Sequence, residues 1–155
     1  MNETSRAAAL DEAGVVVNLM REGRAGLRDA RGGGLWLDRQ ALQEPLEPLV
    51  DSLLEDNQWL IQLALIDAVP LGVLVAEQET ISATPVAVVH EVFVVDAARG
   101  IGLGELMMDA TVTWATEHDC IGVDGYALPG DRATKNFFET FGLVARGIVV
   151  HRSIS

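Results

Sequence analysis

The chain has 155 residues, 49% of them hydrophobic, and a formal net charge of −12 from 23 Asp and Glu against 11 Lys and Arg. That length and apolar content suit one domain with a substantial core, and the acidity, with no basic run, argues against nucleic acid and anionic membranes and mildly favours cationic partners. The single cysteine, Cys120, excludes an internal disulfide and a cysteine-rich zinc site.

No run of about 18 apolar residues is present to span a membrane. The opening Met1-Asn2-Glu3-Thr4-Ser5-Arg6 lacks the charged-then-apolar pattern of a signal peptide, so a cytoplasmic location is expected. Residues 5–10 read as a short first strand, although Ala7-Ala8-Ala9 also suits a helix. Asp11 is placed to cap a helix with Val15, Val16, Leu19 and Met20 on one face. Gly23, Gly26 and the run Gly32-Gly33-Gly34 break the pattern after Met20, and this segment reads as a flexible loop over a site. Arg31 beside the glycines does not make a P-loop, because no Lys-Ser or Lys-Thr stands at the required spacing.

Pro45 and Pro48 sit where a helix can begin, and Leu46, Leu49, Val50, Leu53 and Leu54 give it an apolar face. Residues 59–67 and 71–77 read as two antiparallel strands, with Ala68-Val69-Pro70 as the turn. Another strand covers residues 86–95, and Leu103, Leu106, Met107, Ala110 and Trp114 then recur at helical spacing as far as His118. Residues 120–127 form a short strand. Asp131 caps a helix carrying Phe137, Phe138 and Phe141, and Gly142 closes it. Residues 144–151 read as a last strand. The order is mixed α/β in a single domain: hairpins first, then a strand–helix–strand crossover, giving a mixed, largely antiparallel central sheet flanked by helices.

The stretch Arg99-Gly100-Ile101-Gly102-Leu103-Gly104 joins a strand to a helix start. Such a junction leaves backbone N–H groups unpaired and adds partial positive charge from aligned peptide dipoles, so phosphate oxygens are its natural ligand. A dinucleotide fold is excluded because Glu105 stands where the third glycine is needed and too little chain remains for the strand–helix repeats.

The segment from Glu91 through Phe93-Val94-Val95-Asp96 to Arg99-Gly100-Ile101-Gly102-Leu103-Gly104 resembles the acyl-CoA-binding signature of the GNAT superfamily of N-acetyltransferases. Phe137-Phe138-Glu139-Thr140-Phe141-Gly142-Leu143 is similar to the family's second, aromatic-rich motif. The resemblance is specific over residues 85–150. It divides the single domain, 1–155, into an acceptor-side half, 1–84, and an acyl-CoA-binding half, 85–155. It implies that the pyrophosphate of acetyl-CoA sits on the N–H groups of Arg99, Gly100, Ile101, Gly102, Leu103 and Gly104. The pantetheine arm would run beside Phe93, Val94 and Val95 like an added strand, where the family's strand splays from its neighbour at a bulge. An N–H near Val94 would polarise the thioester carbonyl. A neutral amine would attack directly, so no enzyme nucleophile is needed.

The position where the family often has a thiolate-protonating tyrosine is Phe138, which has no hydroxyl and is left to pack against the cofactor or in the core. Tyr126, the one tyrosine, is the candidate acid in its place; a rim tyrosine is the simpler reading. Glu91, two residues before Phe93 and on the same face, is the candidate for binding or deprotonating a cationic acceptor, against an ion pair. Asp124, on the same strand face as Tyr126, is a weaker candidate of the same kind. Asp131 occupies a place where relatives often have a cofactor-touching asparagine, and an N-cap role explains it equally well. His90 is expected on the opposite face from Glu91 as a satisfied core histidine, His118 as a helix-end cap, and His151 has no evident partner. The three do not make a metal-ligand spacing, so no metal is expected. Cys120 reads as a small core residue, and Lys135 and Asn136 as helix surface.

The expected activity is transfer of the acetyl group of acetyl-CoA to an amine, small-molecule or peptide: a polyamine, an aminoglycoside-like amine, an amino acid or a protein terminus. The alternative is an acyl-CoA-binding sensor or interaction domain with little catalysis, which Phe138 keeps open. Relatives often form homodimers, although no feature here requires one.

Overall fold

The computed structural model of the protein describes residues 1–154. Its elements are β1 (Glu3–Ala7), α1 (Ala13–Leu27), α2 (Gly33–Arg39), α3 (Leu46–Leu54), β2 (Trp59–Ile66), β3 (Val69–Ile81), β4 (Thr84–Val94), α4 (Leu103–Glu117), β5 (Val123–Gly125) and α5 (Arg132–Thr140). The strands lie in one sheet in chain order. β1 to β4 pair antiparallel, and β5 joins β4 in parallel after the α4 crossover.

Both hairpins turn on two residues with positive φ, Asp67 and Ala68, then Ser82 and Ala83. Such mirror-image turns match the right-handed twist of the strands they join. The first turn is therefore tighter than Ala68-Val69-Pro70, and Val69 and Pro70 already belong to β3.

The sheet is covered on both faces, which is why β2 reads as an apolar run broken only by Gln62, whose buried side-chain oxygen accepts from the Ser5 hydroxyl at 2.8 Å. Side chains at alternate positions of β3 go to opposite faces. Val73 and Val75 pack under α1 and α3, against Val16, Met20, Leu46 and Val50. Leu74 and Ala76 pack on the other side with Val89, Leu103, Met107, Met108 and Phe138.

Four expectations are corrected. The first strand covers Glu3–Ala7 rather than residues 5–10. Asp11 does not cap α1; Glu12 holds the chain entry by accepting from the Ala9 N–H at 2.8 Å and from both terminal nitrogens of Arg6 at 2.6 and 2.9 Å. Those donors hold the Glu12 carboxyl at about 2. Gly23 and Gly26 lie inside α1, and Gly33-Gly34 open α2 after Gly32 at φ 82°. At Gly23 the reason is packing, because a Cβ there would sit 2.8 Å from the Phe93 ring. The supposed loop is thus the end of α1, a turn at residues 28–32 and α2, whose Trp36 and Leu37 form a small cluster with Leu27 and Leu128.

The fourth concerns residues 144–151, which form no strand. Val144, Ile148 and Val150 are 80%, 81% and 88% exposed. β-branched composition alone does not make a strand; it needs an edge to pair with, and β5 is only three residues long.

Candidate functional site

β4 sets the site. Along one edge it pairs with β3 as far as Val94, but along the other it pairs with β5 only through Ala87, Val88 and Val89. From His90 to Val94 that second edge has no ladder among the described residues. The Val95 N–H donates to Leu71 on the β3 side at 2.9 Å. The alternation of backbone groups along an antiparallel pair therefore turns the N–H groups of Val92 and Val94 to the open edge.

Beyond β4 a short turn, Asp96–Ala98, leads to Gly100 at φ 82° and Gly102 at φ 96°, the latter capping α4. Glycine adopts these angles without a Cβ penalty. The first α4 hydrogen bond runs from the Leu106 N–H to the Gly102 carbonyl at 3.1 Å, and the N–H groups from Gly100 to Glu105 make no backbone hydrogen bond. The helix dipole adds positive potential at that point. Gly104 lets α5 approach: a Cβ there would sit 2.9 Å from Phe137.

These parts border one cleft of about 630 Å³, walled by α1, β4, the glycine turn and α5. Of the residues expected to hold the cofactor, Phe93, Val94, Arg99, Gly100, Gly102 and Leu103 line it, as do Gly104, Asp131 and Phe138. Val95 does not; it packs in the core. Ile101 contributes its free N–H, while its side chain is 38% exposed and lies outside the cleft lining. Arg99 folds back on the strand, donating from Nε to the Val94 carbonyl at 3.1 Å, pairing with Asp96 at 3.2 Å and lying over the Phe93 ring. Asp131 is the N-cap of α5, accepting from the N–H and hydroxyl of Thr134 at 3.2 and 2.7 Å. Phe138 is buried beside Gly125, where a Cβ would stand 2.6 Å from its ring.

Both expected catalytic residues reach the cleft. Glu91 receives both Arg24 Nε, at 3.2 Å, and an Arg24 terminal nitrogen, and the two side chains are only 8% and 12% exposed. Burial nonetheless pushes the Glu91 carboxyl above the usual carboxylate range. Tyr126 is half-exposed, and burial together with Glu79, Asp124 and Glu77 raises its phenol, so it stays protonated at neutral pH.

His90 does not lie on the face opposite Glu91. Val75 pairs with Glu91 and Ala76 with Val89, so His90 is the extra residue of a β-bulge. A bulge suspends the strict alternation of side chains, and His90 lines the same cleft as Glu91. Its Nε2 is 2.9 Å from Glu77 Oε1, and its ring is stacked on Trp59, with centroids 5.3 Å apart. Glu77, Glu79 and His90 bring one oxygen or nitrogen each to within 4.8 Å of one another. Burial and the neighbouring Glu77 raise the Glu79 carboxyl. Sequence reasoning missed Glu77, Glu79 and Arg24; two glutamates at i and i+2 near the end of a strand were the available signal for the first pair.

The remaining candidates are structural. Asp124 pairs with Arg146 at 2.9 Å, and Lys135 with Glu139 at 3.5 Å on the α5 surface. His118 caps α4, its Nδ1 2.9 Å from the Trp114 carbonyl oxygen. Burial raises the Cys120 thiol. His151 lies in the exposed tail.

An open strand edge beside a glycine-capped helix N-terminus is the arrangement the acyl-CoA signature requires, and the profile of the acetyltransferase (GNAT) family matches residues 32–143. The chain belongs to the GNAT acetyltransferase family. No curated protein shows significant sequence similarity to it. Among solved structures it is similar to an aminoglycoside acetyltransferase from an uncultured soil metagenomic sample in complex with sisomicin, at 19% identity and a TM-score of 0.73, covering 99% of this chain and 95% of that one. It is also similar to a ribosomal-protein-alanine N-acetyltransferase from Brucella melitensis biovar Abortus 2308, at 15% identity and TM-score 0.70, covering 99% and 100%. A third is AAC(6')-Iy in complex with the bisubstrate analogue CoA-S-monomethyl-acetylneamine, at 16% identity and TM-score 0.71, covering all of both chains. At these identities the likeness establishes the shared fold.

Proposed function

We propose that this GNAT acetyltransferase moves the acetyl group of acetyl-CoA to the amine of a cationic acceptor. The observation that carries the acceptor class is the carboxylate excess around the cleft. Glu22, Glu91, Asp96, Glu105 and Asp131 line it against Arg24 and Arg99, and its His90–Tyr126 end adjoins Glu77, Glu79 and Asp124. Arg24 answers Glu91, and Arg146 answers Asp124. Among the described residues Glu77 and Glu79 have no cationic partner except a protonated His90, so an ammonium group beside them would meet an unanswered carboxylate pair and favour its ionised form.

The free N–H groups from Gly100 to Glu105 support pyrophosphate binding, and the open edge of β4 supports strand-like docking of the pantetheine arm. The outward N–H groups of Val92 and Val94 are placed to hold the oxygen of a thioester at that edge, where negative charge develops during amine attack. Tyr126, kept protonated, is the residue that can give a proton to the departing thiolate.

Replacing Glu79 with Gln is expected to raise the KM for a cationic amine about tenfold, equivalent to about 1.4 kcal/mol, while leaving the KM for acetyl-CoA unchanged. The difference should shrink as ionic strength rises. An unchanged amine KM would remove Glu79 from the acceptor site.

A further inference from the structure

We propose that His90 is the general base of the reaction and that Glu77 is its positioning residue; this rests on the amine-acetylating reading above. The bulge in β4 takes His90 out of the sheet's alternation and puts it on the cleft wall beside Glu91. Its Nε2 lies 2.9 Å from the Glu77 carboxylate. A carboxylate can only accept, so Nε2 carries the hydrogen and the neutral ring presents its lone pair at Nδ1. Nδ1 makes no hydrogen bond to the protein, and no side-chain nitrogen without a partner is buried among the described residues, so Nδ1 is accessible.

The ring is held from two sides. Trp59 stacks on it with an interplanar angle of 20°, and Tyr126 lies tilted at 6.4 Å. A carboxylate that fixes the tautomer and aromatic rings that fix the plane are what a proton acceptor needs in order to meet its donor without reorganising. Glu91, by contrast, has its oxygens on Arg24, an arrangement that leaves it little capacity to take a proton from a substrate ammonium.

The step balances. An ammonium group of the acceptor gives one proton to Nδ1, directly or through one water, and the resulting imidazolium is stabilised by Glu77. The freed nitrogen lone pair forms the C–N bond at the thioester carbonyl, and the C–S bond breaks. The thiolate takes up a proton from Tyr126, which regains one from the second N–H of the acylated nitrogen. His90 then releases its proton to solvent.

The titratable groups facing His90 are Glu77 and Glu79 on β3, Glu91 with Arg24 of α1, Asp124 of β5 and the neutral phenol of Tyr126 just after it.

The test is the pH dependence of amine acetylation in the wild type, His90→Ala and Glu77→Gln. In the wild type, kcat/KM for the amine should rise with pH through one ionisation between about pH 5 and 8, the window in which imidazole side chains change charge. His90→Ala should lower kcat at least 100-fold, the ordinary scale of general-base catalysis, and abolish that limb. The KM for acetyl-CoA should stay unchanged, which reports an intact fold. Added imidazole should restore part of the rate, an effect that no structural role of His90 would produce. Glu77→Gln should shift the limb rather than remove it. If His90→Ala retains the limb, or if imidazole fails to rescue a variant that still binds acetyl-CoA, the proposal is overturned while the acetyltransferase reading stands. If the wild type acetylates no amine, both are overturned.

Discussion

Replacing Arg24 with Ala is expected to destabilise the protein by about 3–5 kcal/mol, the usual result of removing one partner of a buried ion pair. The two side chains are 12% and 8% exposed, and Arg24 supplies two donors to Glu91. Burial already lifts the Glu91 carboxyl even with Arg24 in place; without the guanidinium it would rise further. A carboxyl whose folded pKa lies above its unfolded value contributes stability at low pH and loses it as pH rises through the folded value. The loss in Arg24→Ala should therefore be larger near pH 7.5 than near pH 4.5. Urea denaturation at both values checks this. Adding Glu91→Gln to the variant should recover part of the deficit at the higher pH, because an amide needs less desolvation energy than a carboxylate. A pH-independent loss under 1 kcal/mol would show the pair to be solvent-screened.

Replacing Gly102 with Ala is expected to weaken acetyl-CoA binding about tenfold with little change in amine KM. Gly102 caps α4 at φ 96°, a conformation costing a residue with a Cβ roughly 1–2 kcal/mol. A Cβ there would meet only Glu105 Oε2, at 3.9 Å, so the effect is conformational rather than steric. Relieving the strain would turn the free N–H groups of the first α4 turn away from a common point. Isothermal titration with acetyl-CoA, alongside thermal melting to confirm folding, reads the effect. Unchanged affinity would mean that the glycine turn does not cradle the phosphates.

The glycine turn was legible because its chemistry is local. A strand, two glycines and a helix start are adjacent in sequence, and the N–H groups from Gly100 to Glu105 are free for the reason the spacing predicts. The cap at Asp131 and the closing Gly142 were readable on the same grounds. The acceptor end was not. A strict period of two places His90 on the opposite face, and a bulge created by the pairing of β3 with β4 overrides that period. Glu77 and Trp59 reach His90 only across the sheet, and Arg24 reaches Glu91 from a helix 67 residues earlier. The glycines at 23 and 26 read as helix breakers because their use, at least at Gly23, is to admit the Phe93 ring, a contact absent from any local window. The expected strand at residues 144–151 failed for the converse reason: its local propensity is sound, but the edge strand it would join, β5, is only three residues long and the segment forms no ladder with it.

An amine is expected to draw the acetyl group from acetyl-CoA at this cleft. This is tested most directly by counting free thiol released from acetyl-CoA by the pure protein against a panel of polyamines, aminoglycosides, amino acids and peptides. The expected result is amine-dependent thiol release, equal in amount to the N-acetylated product and fastest with acceptors carrying more than one cationic group. Saturable acetyl-CoA binding with no thiol release above background from any amine in the panel would contradict it and identify the chain as an acyl-CoA-binding domain instead.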